Sequence, residues 1–89
     1  MEVTDNPGKH QFELIVDVHT ALAAYRLKPG VITFTHTEVP KELGGRGIGS
    51  QLAKGALEQV RARGLKVVPL CPFIKAYIGK NAEYQDLLA

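Results

Sequence analysis

Cysteine, methionine and tryptophan are almost missing from this chain. Its 89 residues include one Cys, one Met and no Trp, and aromatic residues make up 7%. Cys71 stands alone, which excludes an intramolecular disulfide and makes a reducing, cytoplasmic setting the expectation. Long apolar runs are lacking too. Runs such as Val67-Val68-Pro69-Leu70-Cys71 fall far short of the ~20 residues that cross a bilayer, so no membrane partner is expected. The opening segment, Met1 to Pro7, has neither a basic stretch nor an apolar one, and no leader peptide is expected. His10, His19 and His36 show no metal-ligand spacing, and with a single cysteine no metal site is expected.

What is present points to one small domain over residues 1–89. Apolar residues make up 45% and charged residues 22%, which argues against disorder. A chain this short buries only ~60–65% of its unfolded surface, which excludes two-lobed enzymes and large barrels. The net charge of +2 hides an asymmetry. Lys41 to Lys80 holds eight basic residues and two acids, a net +6, and the remainder holds three basic residues and seven acids, a net −4. The basic half suits an anionic partner, although a merely solvated helix face fits the charge equally well.

The hydrophobic pattern changes period once along the chain. Phe12, Leu14 and Val16 alternate within a strand from His10 to Val16, and Ala21 to Leu27 reads as a second. Lys28-Pro29-Gly30 makes a tight turn into Val31–Val39, which is rich in β-branched and aromatic residues and is stopped by Pro40. Ile48, Leu52, Ala56 and Val60 then recur every fourth residue, predicting an amphipathic helix that ends at Gly64. Lys66–Leu70 is a short buried strand, parallel to the third by the right-handed crossover rule. Pro72 opens a second helix with Phe73, Ile74, Tyr77 and Ile78 on one face, and a final helical turn turns Tyr84, Leu87 and Leu88 inward. The expected fold is α+β: a three-stranded antiparallel meander plus a parallel fourth strand, covered by helices.

The segment Gly44-Gly45-Arg46-Gly47-Ile48-Gly49-Ser50 carries the most chemistry. Its glycines lie between a strand and a helix, where missing Cβ atoms let a ligand approach the free amides of the first turn. Phosphate is the natural occupant, because the helix dipole adds positive potential there. A Walker loop would need Lys after the last glycine, and a dinucleotide fold would need an acidic residue about twenty positions on; both are rejected. A tightly packed turn without a ligand also fits a glycine cluster on its own.

Gly47-Ile48-Gly49 is similar to the core of the acyl-CoA motif of the GNAT acetyltransferases. The run His36-Thr37-Glu38-Val39-Pro40, the segment Val67-Val68-Pro69-Leu70-Cys71-Pro72-Phe73 and the segment Glu83-Tyr84-Gln85-Asp86-Leu87-Leu88 resemble a minimal subfamily of about 90–100 residues within it. The resemblance covers nearly the whole chain and implies a minimal GNAT-type fold, with acetyl-CoA as co-substrate and an amine acceptor, either a small molecule or a protein amine. Two departures stand out: Gly44 occupies the motif's Arg/Gln position, leaving Arg46 to reach the pyrophosphate, and the chain has no room for the helices that wall the acceptor site in larger members. A non-catalytic acyl-CoA-binding protein and a small nucleic-acid-binding module are the competing readings.

The resemblance also assigns roles. Backbone groups at Thr37, Glu38 and Val39 are expected to pair with the pantetheine arm, and Gly45, Arg46, Gly47, Ile48, Gly49 and Ser50 to hold the pyrophosphate. Tyr77 is expected to protonate the leaving thiolate, against a plain core role. Glu38, with His36 on the same strand face, suits deprotonation of an amine. Cys71 lies between a strand and a helix N-terminus, a position that favours a thiolate, so it is expected to face the acetyl group, either accepting it transiently or lining the thioester pocket, and to react with alkylating agents rather than sit inert in the core. A monomer or weak dimer is expected.

Overall fold

Alternation of apolar residues builds the sheet, and the computed structural model describes it over residues 2–89. Strand β1 covers Thr4–Asn6, β2 Gln11–Val16, β3 His19–Lys28, β4 Val31–Glu38 and β5 Lys66–Pro69. They lie in sequence order, antiparallel from β1 to β4, with β5 parallel to β4. Phe12, Leu14, Val16, Ala21, Ala23, Tyr25, Ile32, Phe34 and Val67 fill one face. The residues alternating on the opposite face are half-buried or exposed, so that face stays open.

Helix α1 (Ile48–Ala62) makes the crossover from β4 to the parallel β5. Its stripe of Ile48, Leu52, Ala53, Ala56, Leu57 and Val60 is buried against the filled face, as the four-residue spacing predicts. Gly64 ends it at φ 70, where the Leu65 amide donates to the Val60 carbonyl. Helix α2 (Pro72–Lys80) adds Ile74 and Ile78 to the same core. A 3₁₀ segment, Ala82–Leu87, buries Tyr84 and Leu87. Arg61 binds Asp86 through two 2.9 Å contacts and donates to the Glu83 carbonyl, tying this segment to α1. That guanidinium holds the Asp86 carboxyl below its ordinary pKa. No described helix is long and apolar enough to cross a membrane.

Several details depart from the sequence reading. β1 was not expected, because Thr-Asp-Asn has little strand propensity. Tertiary partners hold it: the Tyr25 hydroxyl donates to Asp5 Oδ1 at 2.6 Å, Arg63 lies 2.9 Å from Asp5 Oδ2, and Gln59 donates to the Val3 carbonyl at 2.6 Å. The sheet therefore has five strands. β3 begins at His19 rather than Ala21, because only Asp17 and Val18 turn the hairpin, with Asp17 at φ 56. Phe73 and Leu88, expected inside, are each 41% exposed. Leu43, which no pattern singled out, is buried and anchors the loop before α1.

Candidate functional site

The end of β4 has a partner on one side only. Its pairing with β5 runs from Val31↔Lys66 to Phe34↔Pro69, and the Cys71 amide then closes onto the Phe34 carbonyl at 2.9 Å. Pairing with β3 continues to Leu22↔Glu38. From Thr35 onward the edge of β4 that faced β5 is therefore open to an extended ligand. A bulge falls at the same place: Ala24 pairs with His36 and Tyr25 with Phe34, leaving Thr35 as the extra residue. The bulge puts Thr37 opposite the buried Ala23 on the helix-covered side, while His36 and Glu38 take the open face.

Beyond β4, a 3₁₀ turn (Lys41–Leu43) leads into the glycine loop. Gly45 and Gly47 adopt φ 76 and 70, and a Cβ on either would meet no atom within 4 Å. The space above the loop is thus open, and both positions take the left-handed backbone angle that favours glycine. The first helical bond runs from the Gln51 amide to the Gly47 carbonyl at 3.1 Å. The amides of Ile48, Gly49 and Ser50 precede that ladder and point out of the helix end. Such an arrangement suits an anionic group, and the residues present fit a pyrophosphate. Arg46 lies 3.8 Å from Asp17 and is more than half exposed, so its side chain is loosely held beside the loop.

A cleft of about 180 Å³ continues from that helix end between α1 and α2. Ser50, Phe73, Ala76, Tyr77 and Lys80 line it. The Phe73 ring packs end-on against Gly49, where a Cβ would stand 2.7 Å from Cζ. Tyr77 is half-buried, with its ring 6.0 Å from that of Tyr84. Burial, then the nearby Glu83 and Glu58, raise its pKa, so the phenol keeps its proton at neutral pH. Tyr77 is therefore both a packing residue and a cleft residue. Phe73, Ala76 and Lys80 were not singled out for this cleft by sequence reasoning, although the spacing of Phe73 and Lys80 from Tyr77 on α2 was a signal for a shared face.

Cys71 stands at the N-cap of α2 at the closed end of the β4–β5 gap, where its position between strand and helix had placed it. The expectation of an accessible thiol differs from the structure: the side chain is 3% exposed and belongs to the core. Its Sγ lies 3.0 Å from Thr37 Oγ1, which screens it from the strand side. Glu38 and His36 approach to 3.2 Å, both more than 60% exposed. Val39 is 37% exposed at the strand's end. The structure thus brings Thr37 and Cys71 together, groups the loop residues with Tyr77 around one cleft, and sets Glu38 and His36 on the opposite face. Among the described residues, no group of three or more His, Cys, Asp or Glu could hold a metal ion.

A five-stranded mixed sheet with open glycines beside an interrupted strand pair is an architecture suited to an extended ligand with an anionic end. A GCN5-like protein from Staphylococcus aureus, solved by NMR in solution, superposes with a TM-score of 0.75 at 32% identity, over 99% of this chain and 87% of that one. The family description "GCN5-related N-acetyl-transferase" matches residues 11–87, and the chain belongs to that family. Protein NATD1 from Gallus gallus and from Mus musculus is 41% identical over 51 residues, 57% of this chain and 46% of each relative. The match spans about half the length of these curated relatives.

Proposed function

We propose that this chain binds acetyl-CoA and transfers its acetyl group to a primary amine by direct attack. One observation carries the reading: the one-sided end of β4 leads into an open glycine cradle at the N-terminus of α1. The backbone from Thr37 to Val39 offers strand-like pairing to the pantetheine arm. The loop from Gly45 to Ser50 receives the pyrophosphate, with Arg46 and Lys41 adding charge. In the transfer, the amine nitrogen bonds the carbonyl carbon and the carbon–sulfur bond breaks. The proton lost by the amine passes to the Glu38–His36 pair, and Tyr77 gives its proton to the departing thiolate. Cys71 lines the closed end of the gap and forms no acyl intermediate. The open sheet face favours a second reading, acyl-CoA binding without transfer, since no described element walls off an acceptor.

Thermal denaturation with and without acetyl-CoA, followed by intact-mass assay of candidate amines, tests both. Ligand at a hundredfold excess over Kd adds ~2.7 kcal/mol of stability. In a domain of this size that raises Tm by on the order of 10 °C. Gly47→Asn, which tolerates the left-handed angle but fills the space over the loop, is expected to remove most of that rise. An equal rise in the variant would overturn the binding site, and binding without acetylated product would favour the second reading.

A further inference from the structure

The open face of the sheet is graded in charge along the strands. Its rows can be read from the register, because residues two apart on β3 share a face. Leu22 stands between Glu13 and Glu38, Ala24 between Gln11 and His36, Arg26 beside Thr33, and Lys28 beside Val31. One end therefore carries Glu13, His36 and Glu38, and the other carries Arg26 and Lys28. Among the described residues, no carboxylate lies within 4 Å of either cation. Lys66, in the row of Lys28 and Val31, is already engaged with the Asp86 carbonyl at 2.9 Å.

A groove of about 660 Å³ runs along this face at the cationic end. Arg26 and Lys28 border it, Val31, Val68 and Leu70 give it apolar surface, and Thr35, the bulge residue, marks its far end. Leu70 is 66% exposed there, an apolar side chain with no covering element. Thr35 is also where β4 loses β5, so the groove ends at the gap on whose other side the donor cradle lies. Cations without partners beside an apolar wall fit a ligand with an apolar body and an anionic end.

We infer that this groove holds the acceptor, and that the acceptor is a small primary amine with an anionic group at the far end of an aliphatic chain. This rests on the transferase reading above and adds the substrate class to it. The amine sits near Thr35 and His36, where Glu38 takes its proton, and the anion reaches towards Arg26 and Lys28. At ~3.3 Å per residue, the Arg26 row lies about 7 Å and the Lys28 row about 13 Å from the row of His36. That spacing suits several methylene groups between nitrogen and anion. Carboxylate and phosphate share the required chemistry.

The test compares four amines of one chain length: 6-aminohexanoate, 6-aminohexyl phosphate, hexylamine and 1,6-diaminohexane. Acetylation is followed by mass spectrometry, and binding without acetyl-CoA by amide NMR shifts. The anionic amines are expected to have KM values about tenfold below those of hexylamine and the diamine, the sum of two modest charge contacts. The better of the two anions identifies whether the end group is carboxylate or phosphate. Arg26→Glu with Lys28→Glu is expected to reverse the order in favour of the diamine, and Arg26→Gln to raise KM for 6-aminohexanoate about threefold. Both residues are exposed, so these variants keep the fold. Equal use of all four amines, or acetylation of peptide lysines alone, would overturn the groove while leaving transferase activity intact. If no amine is acetylated but 6-aminohexanoate still shifts the amides of Arg26, Lys28 and Leu70, the groove stands and the transferase reading falls. Absence of both transfer and shifts overturns the groove.

Discussion

The Thr37 hydroxyl and the Cys71 thiol lie 3.0 Å apart across the gap between β4 and β5. The contact brings a strand residue and a helix N-cap together where backbone pairing has ended. A helix N-terminus favours a thiolate, but the 3% exposure of Cys71 denies that thiol an approach path. The burial supports a packing role for Cys71 rather than nucleophilic attack.

Iodoacetamide is therefore expected to alkylate Cys71 at least about a hundredfold more slowly in the folded chain than in denaturant, because attack requires opening of the core. Cys71→Ala is expected to cost about 1 kcal/mol, the effect of a small core truncation, and to retain most acetyl transfer. Intact mass during turnover would show no acetyl adduct on the enzyme. Loss of turnover in Cys71→Ala, with acetyl-CoA still bound, would instead establish an acyl-cysteine step.

Tyr77 is expected to behave differently. In the proposed mechanism its hydroxyl acts only as the thiolate leaves, so Tyr77→Phe should lower kcat by at least about tenfold with little change in acetyl-CoA affinity. Burial holds its pKa above the ordinary value of 10.0. The phenol therefore stays protonated through neutral pH, and the part of kcat that depends on it should fall only in strongly alkaline solution. Equal kcat in wild type and Tyr77→Phe would return the residue to a purely packing role.

Most of the frame was legible because local pattern and tertiary structure agree. The spacing of Ile48, Leu52, Ala56 and Val60 gave α1, and the Pro29-Gly30 turn gave the β3–β4 hairpin. The missed parts depend on partners distant in sequence. β1 exists because Tyr25 and Arg63 hold Asp5, which has no strand preference of its own, and Gln59 holds the carbonyl of the preceding Val3. The bulge at Thr35 leaves no mark in a run of β-branched residues, yet it sends Thr37 to one face and His36 with Glu38 to the other. The glycine loop was legible as an open turn into a helix N-terminus, whereas the burial of Cys71 depends on how β4 and α2 close around it. The cationic groove was invisible too: Arg26 and Lys28 belong to the acidic part of the chain and gain a common wall only through register with β4 and β5.

Alkaline unfolding offers a separate check on β1. The Tyr25 phenol is pushed up to about 12, first by burial and then by the hydrogen bond to Asp5. A raised folded-state value stabilises the neutral phenol, so its contribution is complete below pH 10, the unfolded value, and is lost as pH rises towards 12. Tm is expected to fall across that interval, and Tyr25→Phe to make the fall shallower while lowering Tm at pH 7. Parallel curves for the two proteins would show that Tyr25 and Asp5 are not coupled in solution.

Two glycines of α1 face neighbours at close range, and alanine at each should separate stability from ligand binding. Replacing helical glycine with alanine favours the helix by ~1 kcal/mol. At Gly49 the new Cβ meets the tip of Phe73, 2.7 Å from Cζ, but that ring is 41% exposed and can swing into the adjoining cleft. At Gly55 the Cβ meets Val3 on two atoms, one of them its Cβ at 2.5 Å, which cannot move without its backbone. Val3 is 8% exposed, and its carbonyl is held by Gln59. Displacing it forfeits ~1.5–3 kcal/mol of side-chain burial, more than the helix gains. Gly49→Ala is thus expected to keep its urea midpoint near that of wild type and to weaken acetyl-CoA binding, because Phe73 then obstructs the cleft. Gly55→Ala is expected to lower the midpoint and leave affinity unchanged in the folded protein. Calorimetric titration beside urea unfolding reads both quantities, and the opposite pattern would place the ligand away from the α1–α2 cleft.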